Sequence, residues 1–136
     1  MPRSLHCTLT TPEQKVFEGE VQSVVVPASD GELGILARHA PLVGKIGFGE
    51  LRLKVEGKGD ASYFVDGGFL QVLDDQVSIL AARAAPAKSL DAAAEEAGLR
   101  QLEAEKPPTG ASIEAREEHT RSVDVARARL RLAKKG

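Results

Sequence analysis

Three histidines and one cysteine are the side chains of this 136-residue chain best suited to metal binding or nucleophilic chemistry, and their spacing gives them no shared task. His6 and Cys7 are neighbours on an alternating segment, so they point to opposite faces of a strand and cannot ligate together. No glycine loop leads into Lys-Ser/Thr, and no nucleophile elbow occurs. The chain is therefore expected to be non-catalytic, with no cofactor, no metal and no nucleotide-cradling loop. Cys7 reads as a small core residue, and a single cysteine excludes an internal disulfide and fits a reducing compartment. His119 reads as an interface residue on a helix. Gly67-Gly68 reads as a bulge or tight bend in a strand.

Charge is more informative than nucleophiles. Gly31-Glu32-Leu33-Gly34-Ile35-Leu36-Ala37-Arg38-His39-Ala40-Pro41-Leu42 has no clean period. It reads as a short strand entered from a turn at Ser29-Asp30-Gly31 and left through a bend before Pro41. That placement puts Glu32, Arg38 and His39 on a sheet edge or loop, where they can meet something outside the fold. A second concentration lies at the C-terminus. Residues 121–136 hold six basic residues and one acidic, against four and eight in 86–120 and eight and eleven in 1–85. This is a basic tip on a chain of net charge −2, a balance that gives no general pull toward nucleic acid.

These residues need elements to hold them. Up to Ala81 the pattern is β throughout: Leu5, Cys7 and Leu9 alternate with polar residues, and Leu51, Leu53 and Val55 do the same. Gly57-Lys58-Gly59-Asp60 and Asp74-Asp75 are turns. Strands at intervals of about 8–12 residues with Gly, Pro or Asp between them predict an antiparallel sandwich or barrel. At Pro86 the period changes. Ser89 is taken as the N-cap of a helix over 90–106, with Asp91 in its first turn and Pro107-Pro108 as its stop. Ser112 caps a second helix from Ile113 to about Lys135, and the short connection predicts an antiparallel hairpin. The expected packing stripes are Leu90, Ala93, Ala94, Ala97 and Ala104, interrupted by Gln101, against Ala115, His119, Ser122, Ala126, Leu130 and Ala133. Alanine buries little area, and Gly98 costs about 1 kcal/mol within a helix, so the hairpin is expected to be marginal and able to detach. Hydrophobic content of 42% and charged content of 28% suit a globular protein. No apolar run approaches the ~20 residues that span a bilayer, and the N-terminus lacks a secretory pattern, which makes a cytosolic address the default.

Phe17-Glu18-Gly19, the Gly31–Leu36 run, His39-Ala40-Pro41-Leu42 and Gly67-Gly68-Phe69-Leu70, in this order, resemble the epsilon subunit of bacterial and chloroplast F-type ATP synthase, called delta in mitochondria. The resemblance covers the β region almost completely and the helix pair more loosely. It implies a β-sandwich of about ten short antiparallel strands, residues 1–85, followed by a regulatory helical hairpin, residues 86–136. It implies a non-catalytic rotor subunit of the central stalk, coupling proton flow to ATP synthesis and restraining ATP hydrolysis through its helices. The implied partners are the gamma subunit, the c ring and, transiently, the alpha and beta subunits, with no membrane insertion. Carried over by position, Glu32 faces the c ring, and Arg38, His39, Ala40 and Pro41 lie toward gamma. Arg121, Arg127, Arg129 and Arg131 are directed to an acidic loop of the beta subunits. The implied location is peripheral, on the cytoplasmic face of a bacterial plasma membrane, or the stromal side of a thylakoid. Two positions depart from the family pattern. Ala37-Arg38 follows Ile-Leu where many relatives have proline, and Ala94-Glu95 replaces the Arg-Ala of a Leu-Asp-x-x-Arg-Ala nucleotide motif beginning at Leu90-Asp91. The alternative of an ATP-sensing switch in the helical region loses its phosphate-binding guanidinium by that replacement.

Overall fold

Seven strands, β1 (Leu5–Thr10), β2 (Lys15–Val21), β3 (Ser23–Ala28), β4 (Gly31–Leu36), β5 (Leu42–Val55), β6 (Gly59–Leu73) and β7 (Gln76–Pro86), precede two helices, α1 (Ala92–Ala104) and α2 (Ile113–Lys135). The structure, a computed structural model, describes residues 4–28 and 30–135. Ser29, the first residue of the expected turn before β4, lies outside them. The chain divides into two units, Met1–Pro86 and Ala87–Gly136.

In the first unit the strands are hydrogen-bonded in the order β2-β1-β7-β6-β5-β3-β4. The expected sandwich class holds, with seven strands among the described residues rather than about ten, because β5, β6 and β7 are long, at 14, 15 and 11 residues. Leu42 to Ile46 and Leu51 to Val55 are halves of one strand, as are Tyr63 to Val65 and Phe69 to Leu73. Pairing between β5, β6 and β7 keeps one register along their length, missing only the aligned row Gly47, Gly67 and Ala82. At that row the core-facing side changes parity. On β5 it passes from Leu42 and Ile46 to Leu51, Leu53 and Val55, and on β6 from Ala61, Tyr63 and Val65 to Leu70 and Val72. The glycines are therefore fold lines at which three paired strands turn together from one layer into the other.

Gly68 shows why the fold line needs glycine. Its φ is +131°, and a Cβ there would stand 2.0 Å from the Leu80 carbonyl oxygen. Because the register does not slip, the Gly67-Gly68 feature is a bend and not a bulge. One pairing also departs from the all-antiparallel expectation: β1 runs parallel to β7, with Cys7 opposite Val77 and Leu9 opposite Ile79. These strands are far apart in sequence, so no hairpin turn dictates their direction.

The core between the layers is aliphatic, as the scarcity of aromatics requires. Leu5, Leu9, Val24, Ile35, Leu51 and Leu53 are all fully buried within it. Cys7 lies among them, and burial pushes its thiol up to about 12, which keeps it protonated and inert.

The second unit is built differently. A single 3-10 turn, Ala87–Ser89, precedes α1, and the N-cap is Asp91, not Ser89: its carboxylate accepts from the Ala93 amide. α2 starts as expected, with the Ser112 hydroxyl accepting from the Ala115 amide at 3.1 Å. The expected alanine stripe of α1 faces the wrong way. Ala93, Ala94, Ala97 and Ala104 are exposed, whereas Ala92, Glu95, Glu96, Leu99 and Leu102 are the half-buried positions. On α2, His119, Ser122, Ala126, Leu130 and Ala133 are half-buried as expected, Ala115 is exposed, and Val123 and Leu132 are the buried residues. Leu99 and Leu102 offer more apolar area than any alanine, which sets the rotation of α1.

Candidate functional site

β4 ends the strand order and has β3 as its neighbour, so its outer edge is open among the described strands. Glu32 lies on this edge strand, opposite Pro27. Arg52 of β5 reaches across β3 to the Glu32 carboxylate, Nη1 at 3.1 Å and Nη2 at 3.4 Å, while Nη1 also donates to Glu50 at 3.3 Å. The Ser62 hydroxyl donates to the other Glu50 oxygen. Glu32 is thus held by a forked, charge-assisted contact while half of its side chain remains exposed.

The chain then turns through residues 37–41. Arg38 takes a φ of +67°, and its amide donates to the Asp75 side chain at 2.6 Å. Asp74 and Asp75 themselves have positive φ in the two-residue turn between β6 and β7. Arg38, a non-glycine residue, sits in the left-handed region, and the turn uses its amide to bind Asp75. The His39 Nδ1–H donates to the Ala40 carbonyl at 2.7 Å, and Arg38, Ala40 and Pro41 are exposed. The structure brings Arg38 to Pro41 together in one short loop directly after the edge strand carrying Glu32.

An apolar surface that the sequence reading did not single out continues from this loop. Val43 on β5, Phe69 and Leu73 on β6 and Leu80 on β7 are all largely exposed. Phe69 is directly opposite Leu80, and Val43 is diagonal to Phe69 across the β5–β6 pair. The signal was present in Phe69-Leu70-Gln71-Val72-Leu73, which is apolar on both faces when only Leu70 and Val72 are needed by the core. Contiguous exposed apolar residues of this kind mark contact surfaces.

On the other side of the same layer's outer face, the His6 imidazole lies between two β2 carboxylates, Nδ1 3.0 Å from Glu20 and Nε2 3.1 Å from Glu18. These hydrogen bonds, Glu20's first, raise the His6 pKa above its ordinary 6.5. Lys15 and then His6 hold Glu18 below its usual range, and His6 followed by Ser4 does the same for Glu20. Among the described residues no group of three His, Cys, Asp or Glu is placed to hold a metal.

Two arginines of the basic tip pair with α1. Arg127 donates to Glu103 at 3.2 Å, and Arg129 to Glu95 at 2.6 Å, so both reach back to α1. Arg121 and Arg131 are exposed on α2. The His119 Nε2–H donates to the Leu102 carbonyl at 2.7 Å, the interface role expected of it. Asp91 and Glu95, the carboxylates of the altered nucleotide motif, are committed to the α1 cap and to Arg129.

Residues 4–87 match the family described as the ATP synthase delta/epsilon chain, beta-sandwich domain. An ATP synthase epsilon chain of Thioalkalivibrio sulfidiphilus is 34% identical over 136 residues, covering 99% of this chain and 96% of the relative. One from Rhodopirellula baltica is 46% identical over 88 residues, 65% of this chain and 68% of that one. Among solved structures, a chain of the Euglena gracilis mitochondrial ATP synthase OSCP/F1/c-ring assembly shares the fold, with a TM-score of 0.81 at 23% identity over 94% of this chain and 80% of that one.

Proposed function

The chain belongs to the ATP synthase delta/epsilon chain family, and from that footing we propose that it is a non-catalytic rotor subunit of the central stalk, coupling proton flow to ATP synthesis and restraining hydrolysis through its helices. The observation that carries this reading is similarity to an epsilon chain over nearly the whole length, helices included. Each unit then has a task. The sandwich docks: Glu32, held by Arg52, meets polar loops of the c ring, and Arg38, His39, Ala40 and Pro41, continued by exposed Val43, meet gamma. The hairpin regulates, with Arg121, Arg127, Arg129 and Arg131 meeting an acidic loop of the beta subunits once α2 leaves α1. The protein sits peripherally on the cytoplasmic face of a bacterial plasma membrane. No helix among the described residues is long and apolar enough to cross one.

Native purification with the gamma subunit tests the docking. A chain that never binds gamma under native conditions would sink the reading. Deleting residues 89–136 tests the regulation: assembly and coupling persist while ATP hydrolysis rises, and unchanged hydrolysis would remove the inhibitory role. The ATP-sensing alternative gains nothing from the geometry, because Asp91 and Glu95 are already bound within the hairpin. Calorimetry with ATP is expected to show no saturable binding below millimolar concentration.

A further inference from the structure

We propose that Glu95 and Arg129 form an electrostatic clasp at the open end of the hairpin, and that this pair sets how often α2 separates from α1. Apolar contact alone gives the hairpin little hold. α1 contains no buried residue, and α2 buries Val123 and Leu132. Half-buried Leu99 and Leu102 add partial apolar cover, and the other links between the helices are polar. Of these, Arg127–Glu103 is about half exposed on both sides, where an ion pair contributes little. The His119 contact to the Leu102 carbonyl lies near the connecting turn.

Glu95–Arg129 differs in both shielding and place. The side chains are 17% and 33% exposed, and the guanidinium meets the carboxylate through two atoms, Nε at 2.6 Å and Nη2 at 3.4 Å. Glu95 is in the first turn of α1, and Arg129 lies near the end of α2. In an antiparallel hairpin those ends are far from the connection at residues 105–112, so this link has the most leverage over opening. Glu95 is also one of the two positions at which the sequence departs from the Arg-Ala pair of the nucleotide motif that some relatives carry. The departure puts a carboxylate opposite Arg129.

The consequence for regulation rests on the function proposed above, because opening frees Arg129 and α2 to reach an inhibitory partner. The clasp itself can be tested in the isolated full chain. Spin labels at Ala94→Cys and Lys134→Cys, both at exposed positions of the open end, report the distance between the helices, and buried Cys7 stays unlabelled. Glu95→Gln and Arg129→Gln are each expected to raise the open fraction about fivefold. Raising salt from 0.1 to 1 M, which shortens the Debye length from about 10 to about 3 Å, is expected to open the unsubstituted hairpin and leave Glu95→Gln unmoved. The exchange Glu95→Arg with Arg129→Glu should close it again. Unmoved distances in both single variants, or an exchange that stays as open as either, would overturn the clasp. In the assembled complex Glu95→Gln should lower ATP hydrolysis. Hydrolysis unchanged beside a hairpin shown to be open would count against the regulatory reading and leave the clasp standing.

Discussion

The sandwich and the hairpin solve the same problem, holding secondary structure together, with opposite means. The sandwich seals aliphatic side chains from both layers between strands whose register runs on through the glycine fold line. Burying one leucine in such a core is worth about 1.5–3 kcal/mol, and many are buried. The hairpin buries two side chains and relies on caps, one carbonyl contact and ion pairs. Charge screening by salt does not weaken apolar burial, whereas it does weaken partly exposed ion pairs. The rigid unit is thus suited to hold a fixed contact surface, and the weakly held one to change state without disturbing it.

The contrast breaks most readily at the fold line. Gly68→Val places side-chain atoms onto the Leu80 carbonyl, and denaturation followed by circular dichroism should find no folded sandwich. A folded sandwich at ordinary temperature would mean that the strands can bend elsewhere. Next in size is truncation within the core. Leu53→Ala should cost about 2–5 kcal/mol in sandwich stability by urea titration, leaving the helical signal of the second unit intact. Val123→Ala, the corresponding change in the hairpin, should cost clearly less, and equal costs would erase the distinction drawn between the units.

A smaller effect is expected at the α1 cap. Asp91→Ala should cost the hairpin about 1 kcal/mol, seen as lost helicity, while Ser89→Ala leaves the cap hydrogen bond in place. The smallest effect sharpens the comparison from the sandwich side, where one exposed charge cluster joins β1 to β2. Because the folded His6 pKa is raised above 6.5, its contribution is fully present below 6.5 and fades as pH rises through the folded value. Glu18 and Glu20, lowered from 4.5, contribute above that value and lose the contribution as pH falls. His6→Gln should therefore weaken the sandwich slightly near pH 6 and not at pH 9. Proton NMR titration of His6 should give a midpoint above 6.5, and a midpoint below it would remove the cluster as a link.

Much of the local geometry was legible because it is encoded by near neighbours along the chain. Ser112 and the pattern after it mark α2, and Asp74-Asp75 marks a turn that does form with positive φ at both residues. The broken period of residues 31–42 marked an edge strand and loop, and Glu32 and Arg38 lie there. The exposed apolar row was missed for a different reason. Val43, Phe69 and Leu80 come from three strands, and no single stretch displays them side by side.

The sequence by itself determined the class of each segment, the turns and caps, and the scarcity of apolar surface on the helices. Those properties depend on residues within a turn or a strand of one another. The tertiary structure decided which neighbours meet across long intervals. It joined short apolar runs into bent strands at Gly47 and Gly67 and ran β1 parallel to β7. It also turned α1 so that Leu99, Leu102 and Glu95, not the alanines, are shielded. A helix with a weak apolar stripe takes its rotation from what the partner offers, and Arg129, 34 residues away along the chain, offers a charge.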